Sequence, residues 1–126
     1  MKIAVYAISK NEEAFVERFC ASAVDADLIL IADTGSTDNT VRYAEECGAV
    51  VHNIHIRPWR FDLARNAALA LIPADIDVCI SLDLDEILEP GWRQAIEEGW
   101  EYGRTTNLWY YFDWGHGLKF PYRKIH

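Results

Sequence analysis

The sequence has no block of lysines or arginines, no long apolar run and no closely spaced pair of cysteines. Its 126 residues carry a formal net charge of −8. Binding to nucleic-acid phosphates depends on basic residues, so nucleic acid is not an expected partner. A membrane-spanning helix needs about 20 apolar residues, whereas the apolar run near the N-terminus is short and ends in charged residues. We therefore expect no signal peptide and no transmembrane segment.

The three cysteines, Cys20, Cys47 and Cys79, fall within predicted helices or strands and form no Cys-x-x-Cys motif. Motifs of that kind hold zinc or carry out redox chemistry, so neither is expected here. An odd number of cysteines at such positions predicts buried, reduced thiols and a cytoplasmic location. The length predicts a single domain over residues 1–126.

Residues 2–89 alternate between two kinds of pattern. Four short apolar runs predict buried strands, and segments with apolar residues four apart predict helices between them. The predicted strands are 2–8, 28–32, 49–54 and 78–82, and the predicted helices begin near residues 12, 39, 61 and 91. This order predicts an α/β fold, an open and mostly parallel Rossmann-like sheet with helices on both faces.

Residues 100–126 form a tail that is rich in aromatic residues and has no helical period. This pattern predicts two short strands, 107–112 and 118–122, whose aromatic side chains pack on the sheet rather than stack on a sugar. We likewise expect Trp59 to cover the sheet. The sequence ends within a pattern typical of a structured segment, so we expect a truncated C-terminal end.

Polar segments follow three of the predicted strands: "SKNE" after the first, "DTGSTD" after the second and "DLDE" at the end of the fourth. Ligands of open α/β sheets bind outside the carboxyl ends of the strands. We therefore expect these three segments to lie on one rim and to form a binding site. No GxGxxG or GxxxxGK[ST] motif is present, so neither a dinucleotide-binding fold nor a P-loop is expected.

The "DLDE" segment places several carboxylates close together. In an extended chain Asp83 and Asp85 point to the same side and Leu84 points to the other. Neighbouring carboxylates raise each other's pKa unless a cation lies between them, and hard oxygen ligands suit Mg²⁺ or Mn²⁺. An acidic chain that binds an anionic nucleotide needs such a cation. The alternative is a solvated acidic turn that caps the next helix.

Two more candidates follow from local chemistry. Asp33 ends the second strand, where it could accept hydrogen bonds from a ribose or a base, or could close a turn through its own backbone. Arg65 and Asp62 lie three apart near a predicted helix N-terminus, where an arginine could clamp a diphosphate. The alternative for this second pair is a simple intrahelical ion pair.

Four segments, "ISKNEE", "ADTGSTDNT", "FDLARNAAL" and "SLDLDE", in this order, resemble the nucleotide-binding half of the family 2 glycosyltransferases with the GT-A fold. The resemblance covers residues 2–89 and implies a role for each matching position. It implies a base pocket lined by Ser9, Asn11 and Glu12, a base or ribose contact from Asp33, and a nucleotide border formed by Asp62 and Arg65. It also implies a metal and ribose-phosphate motif formed by Asp83 and Asp85, with Asp85 as the more direct metal ligand.

The resemblance further implies a reaction. A sugar would pass from a nucleotide-diphosphate donor, with a UDP-sugar favoured, to an acceptor that the sequence does not specify. Mn²⁺ or Mg²⁺ would neutralise the leaving diphosphate. The transfer would invert the anomeric centre, so a base must deprotonate the acceptor hydroxyl. Downstream of the acidic segment the weak candidates for this base are Asp113 and His116, and neither lies in a matching motif.

Two other functions compete with this one. The first is a nucleotide-sugar-binding module without turnover, because the acceptor-binding portion and the catalytic base look missing. The second, more distant, is a phosphatase of the haloacid dehalogenase type, in which a DxD segment supplies the nucleophile. That class places its DxD after the first strand, whereas here it follows the fourth.

Overall fold

The computed structural model describes residues 1–101, 103–104, 108–113 and 119–125, the last two segments as backbone. Strands and helices alternate through the first hundred residues, and two strands follow. The strands are β1 Ile3–Ser9, β2 Leu28–Asp33, β3 Val50–Asn53, β4 Val78–Ser81, β5 Leu108–Asp113 and β6 Lys119–Ile125. The helices are α1 Glu13–Ser22, α2 Thr40–Glu46, α3 Phe61–Ala70 and α4 Trp92–Gly99.

The sheet has the order β3-β2-β1-β4-β6-β5. The four strands β1 to β4 pair in parallel, β6 is antiparallel to β4, and β5 is antiparallel to β6. The chain runs outward from β1 through β2 to β3 and then returns to the other side of β1 to form β4. This reversal of strand order beside β1 creates the crevice in which open α/β sheets bind ligands.

Helices cover both faces of the sheet, as predicted. On one face α1, α2 and α4 contribute side chains such as Phe19, Ala44 and Ile96 to the larger core. On the other face α3 packs Ala68 against Tyr6 and neighbouring apolar residues. The central strand β1 is buried along almost its whole length, since it has a neighbouring strand on each side and helices above and below. The predicted α/β fold is confirmed.

The cysteines differ from the expectation at one position. Cys20 is buried, and this burial, together with the neighbouring Cys47 thiol, raises the pKa of its thiol to about 12. Cys79 is partly buried, but Cys47 is exposed, since it is the C-cap residue at the end of α2, although its thiol lies beside that of Cys20. The prediction of three buried thiols is therefore wrong for Cys47, and the cytoplasmic location stays a prediction.

The tail contains two strands close to the predicted ones. Strand β6 extends further than expected, through Ile125, because that residue pairs with Ile80 of β4 as well as with Leu108 of β5. The side chains of this tail lie outside the described residues, so the packing of its aromatic rings stays a prediction. Within the described part of the chain, no helix combines the length and the apolar character needed to cross a membrane.

Candidate functional site

A cavity of about 650 Å³ opens at the carboxyl ends of the central strands. The three polar segments identified in the sequence meet here, as expected. A fourth segment, between β3 and α3, completes the wall. The lining residues are Ile8, Ser9, Lys10, Glu12, Thr34, His55, Ile56, Arg57, Trp59, Phe61, Asp83, Leu84 and Asp85.

The acidic segment after β4 forms a turn in which two carboxylates are engaged by the protein itself. The Glu86 N–H donates to the Asp83 carbonyl (2.9 Å), and the Asp83 N–H donates to Glu86 Oε1 (2.8 Å). Glu86 is only 7% exposed. Its carboxylate therefore folds back onto the turn, which shapes the loop and keeps this third acid out of the cavity.

Asp83 forms an ion pair with Arg65 of α3. Arg65 Nη2 lies 2.8 Å from Asp83 Oδ1, and Arg65 Nη1 donates to the Ser81 hydroxyl (2.7 Å). The guanidinium also lies over the Phe61 ring, 4.9 Å from the ring centroid. Three contacts thus fix Arg65, and its charge compensates that of Asp83 at the cavity wall.

Asp85 has a different environment. Arg18 Nη2 donates to the Asp85 backbone carbonyl (3.1 Å), and the Arg18 guanidinium lies 5.3 Å from the centroid of the Phe15 ring. The Asp85 side chain is exposed to the cavity and has no hydrogen bond or ion pair to any residue that the structure describes. Its backbone is therefore held in place while both carboxylate oxygens remain available to a ligand.

Glu12 is the third acid on the cavity wall. Burial raises the pKa of its carboxyl, and the nearby Asp85 carboxylate raises it further, while the Lys10 backbone N–H acts in the opposite direction. These two acids repel each other in the ligand-free cavity. A cation bound near them would remove that repulsion.

Asp33 does not line the cavity. It is 2% exposed, and its carboxylate accepts hydrogen bonds from the Ser9 hydroxyl (2.7 Å), the Ser36 hydroxyl and the backbone N–H groups of Gly35 (3.1 Å) and Ser36 (2.8 Å). Burial alone would raise the pKa of this carboxyl, but the bonds from Ser36, Ser9 and Gly35 outweigh it and the pKa is lowered. Of the two alternatives for Asp33, these contacts favour turn closure.

Asn11 also acts between loops. It has a left-handed backbone, with φ of 51°, and its side-chain oxygen accepts a hydrogen bond from the Thr37 N–H (2.7 Å). Its own N–H donates to the Ser36 hydroxyl (2.9 Å). Asn11 therefore joins the loop after β1 to the loop after β2, and it lies outside the cavity lining.

Asp62 and Arg65 do not form the intrahelical ion pair that was one alternative. Asp62 pairs with Arg60 instead (2.9 Å), and both side chains are 60% exposed. Arg65 points to the acidic turn, because Asp83 lies on the sheet side of α3 and Asp62 lies on the solvent side. Neither Asp62 nor Arg65 lines the cavity.

The segment between β3 and α3 was missed as part of the site. Trp59 is 51% exposed and lines the cavity, so the expectation that it covers the sheet is wrong. Its ring meets Phe61 edge to face, with centroids 6.2 Å apart. In this segment His55, Ile56, Arg57 and Trp59 line the cavity, and Phe61, the first residue of α3, follows them. The segment belongs to no strand or helix and bends at residues 57 and 58, so no regular spacing identified it in the sequence.

The two weak candidates for a catalytic base stay predictions. Asp113 is the last residue of β5, and its side chain is outside the described part of the chain. His116 lies outside the described residues altogether.

The contacts of Asp33 lead to a prediction about stability. Asp33→Asn replaces one acceptor oxygen by a donor group, so we expect a loss of roughly 2–4 kcal/mol in the free energy of unfolding at pH 7. The folded-state pKa of Asp33 is lowered, so its contribution is present above the ordinary value of 3.8 and is lost as the pH falls through the lowered value. Urea unfolding of both proteins from pH 7 to pH 3 should show a difference that shrinks below about pH 4. An equal stability of the two proteins at pH 7 would contradict the turn-closing role.

Comparison with known proteins places this fold and cavity in a family. A model of the family "Glycosyl transferase family 2" matches residues 5–124. A protein of Rickettsia bellii (strain RML369-C), described as an uncharacterized glycosyltransferase, is 33% identical over 97 residues, which are 76% of this chain and 32% of that protein. A second, from Rickettsia felis (strain ATCC VR-1525 / URRWXCal2), is 30% identical over the same length. The chain spans about a third of the length of these relatives.

Comparison with solved structures also gives matches to a glycosyltransferase. Glucosyl-3-phosphoglycerate synthase from Mycobacterium tuberculosis, in complex with Mn²⁺, UDP and glucosyl-3-phosphoglycerate, is 30% identical with a TM-score of 0.55, over 65% of this chain and 33% of that one. The same enzyme with Mg²⁺ and UDP is 31% identical with a TM-score of 0.57, over 68% and 34% of the two chains. These matches favour the glycosyltransferase interpretation of the acidic turn after the fourth strand over the phosphatase interpretation. The chain therefore belongs to glycosyl transferase family 2.

Proposed function

We propose that this chain forms the nucleotide-sugar-binding part of a metal-dependent, inverting glycosyltransferase, with a UDP-sugar as the favoured donor. One observation carries the proposal. The carboxylate of Asp85, which has no partner in the described part of the chain, lies in a cavity at the carboxyl ends of the central strands, together with Ser9, Glu12 and Asp83. The Mycobacterium tuberculosis synthase, a structural neighbour, has been solved with UDP-glucose and Mn²⁺.

The carboxylates of the cavity suit a cation that is coordinated partly by the protein and partly by the bound nucleotide. Among the described residues no group of three or more His, Cys, Asp or Glu side chains could hold a metal ion alone. Mg²⁺ and Mn²⁺ accept such sites, because they keep several waters and take one or two carboxylates plus substrate phosphates. We assign Asp85 as the direct ligand and Asp83, which Arg65 already engages, as a contact through water or toward the ribose. When bound, the cation would neutralise charge on the departing diphosphate.

The remaining residues have distinct proposed roles. Glu12, on the cavity wall, contacts the nucleoside. Ser9 also lines the cavity, but it is 1% exposed and its hydroxyl donates to Asp33, so it positions the loop after β1. Asn11 and Asp33 act through the loops that they join, because their side-chain oxygens are already bonded to the protein. For Asp62, which is exposed and paired with Arg60, the contacts give no support to the nucleotide border that the resemblance implies.

The acceptor hydroxyl must lose a proton as the sugar is transferred. Asp113 and His116 stay the candidates for this base within the chain. A nucleotide-sugar-binding module without turnover would use the same cavity and the same acids, so ligand binding and turnover have to be measured separately.

Ligand binding has a direct thermal test. We expect UDP with Mn²⁺ to stabilise the fold by about 2.7 kcal/mol at a ligand concentration of 100 times Kd, a shift of several degrees in Tm. Asp85→Asn should abolish the part of the shift that requires Mn²⁺ while the protein remains folded by circular dichroism. Asp25→Asn, which changes an exposed acid of the loop between α1 and β2, is the matched control.

Two results would contradict this assignment. The absence of any shift with UDP, GDP or dTDP, with and without metal, would exclude both the transferase and the binding module. Unfolding of Asp85→Asn would show that this carboxylate has a structural role instead.

Turnover separates the enzyme from the module. We expect release of UDP from UDP-glucose to require Mn²⁺ and to increase when an acceptor is added. Phosphoglyceric acid, found in complexes of the Mycobacterium tuberculosis synthase, is the first acceptor to try. The measurement is UDP formed over time by a coupled assay. Tight UDP binding without release, across a panel of donors and acceptors, would favour the module.

A further inference from the structure

Nearly every described cation of this acidic protein has a partner. Lysines and arginines near a surface that is rich in carboxylates form ion pairs readily, and here they do so across the molecule. The pairs are Lys2 with Asp75, Arg42 with Glu46, Arg60 with Asp62, Arg65 with Asp83, Arg93 with Asp27 and Glu97, and Arg104 with Glu101. Arg18 instead donates to the Asp85 carbonyl and lies over the Phe15 ring.

Lys10 and Arg57 are the two exceptions among the lysine and arginine side chains that the structure describes. Within the described part of the chain, neither has an ion pair, a hydrogen bond from its side chain or a ring contact. Both are exposed, and both line the cavity, although they come from different segments: Lys10 directly follows β1, and Arg57 lies between β3 and α3. The unpaired cations thus coincide with the ligand cavity rather than with the general surface.

The sum of the charges on the cavity wall indicates the charge of the ligand that Lys10 and Arg57 would complement. The Asp83 charge is compensated by Arg65, which leaves two negative charges, on Glu12 and Asp85, and two positive charges, on Lys10 and Arg57. A divalent cation bound near Glu12 and Asp85 would balance their two negative charges. The positive charges of Lys10 and Arg57 would then be in excess. A nucleoside-diphosphate sugar brings about two negative charges on its diphosphate. The positive charges of Lys10 and Arg57 therefore match the charge of a metal-bound diphosphate. Without these two residues the cavity would have no excess positive charge to match it.

Arg65, whose place near a predicted helix N-terminus suggested a clamp for a diphosphate, is not available for this contact. Arg65 already donates to Ser81 and Asp83 and lies outside the cavity lining. The guanidinium of Arg57 donates to none of the residues that the structure describes. A guanidinium forms strong, paired hydrogen bonds to phosphate oxygens.

We propose that Lys10 and Arg57 form an anion subsite that binds a phosphate group of the ligand. The inference rests on the proposed function, since it assigns the phosphate contacts within the same cavity. The phosphate belongs to the donor's diphosphate or to a second, anionic substrate, and the two sources are distinguished below.

The test compares two arginines of one segment. Arg57→Gln removes the unpaired charge, whereas Arg60→Gln, three residues further on, removes an exposed charge that already pairs with Asp62. With Mn²⁺ present, we expect Arg57→Gln to weaken UDP binding about tenfold or more and to leave uridine binding unchanged, with Lys10→Gln acting in the same direction. Arg60→Gln should bind UDP like the unmodified protein. Isothermal titration calorimetry gives the Kd for UDP and for uridine of the unmodified protein and of the three variants.

A second titration separates the sources of the phosphate. If Arg57→Gln binds UDP normally, inorganic phosphate is added to the complexes with UDP and Mn²⁺. If phosphate raises the Tm of the unmodified protein but not that of Arg57→Gln, the subsite binds the phosphate of a second substrate. Equal behaviour of the two proteins toward both UDP and phosphate would overturn the inference. If no nucleotide binds at all, the proposed function fails, and the phosphate titration of the free proteins alone decides whether the subsite exists.

Discussion

The ion pair between Arg65 and Asp83 is the interaction on which the site depends. Three acids within four positions repel one another, and a loop that carries them needs compensation before any ligand arrives. Arg65 supplies it from α3, at 2.8 Å, and Ser81 fixes the other half of its guanidinium. Glu86 turns back to the Asp83 N–H. Of the three, Asp85 is the carboxylate without a partner among the described residues, so the loop presents one free carboxylate to the cavity instead of three.

The topology of the sheet explains why this carboxylate lies in a cavity. The chain leaves β1 for β2 on one side and returns to β4 on the other, so the loops after β1, β2 and β4 lie along one edge of the sheet. Ser9 of β1 donates to Asp33 of β2, and Asn11 accepts from Thr37. The loops after β1 and β2 are thus tied to one another, and the acidic turn after β4 forms another part of the cavity wall.

The strands, the helices and the meeting of three polar segments could be predicted from the sequence, because apolar periodicity fixes where strands end. The roles of individual side chains could not. Asp33 accepts a hydrogen bond from Ser9, 24 positions away, and Arg65 pairs with Asp83, 18 positions away. Local spacing in the sequence predicts neither contact. The segment with Arg57 and Trp59 was missed because it belongs to no strand or helix and carries no periodic pattern.

The charged residues of the site divide into two groups by their contacts. Those already bonded to the protein, such as Asp33 and Arg65, set the positions of loops, and ligand binding by them would break bonds that hold the cavity open. Asp85 and Arg57 have no partners among the residues that the structure describes, and they cost little to leave free, because water solvates them in the open cavity. A ligand that displaces this water has to replace its hydrogen bonds and its charge compensation. Charges of both signs without partners in one cavity therefore favour a ligand that combines a cation with an anion, and a metal-bound diphosphate has this composition.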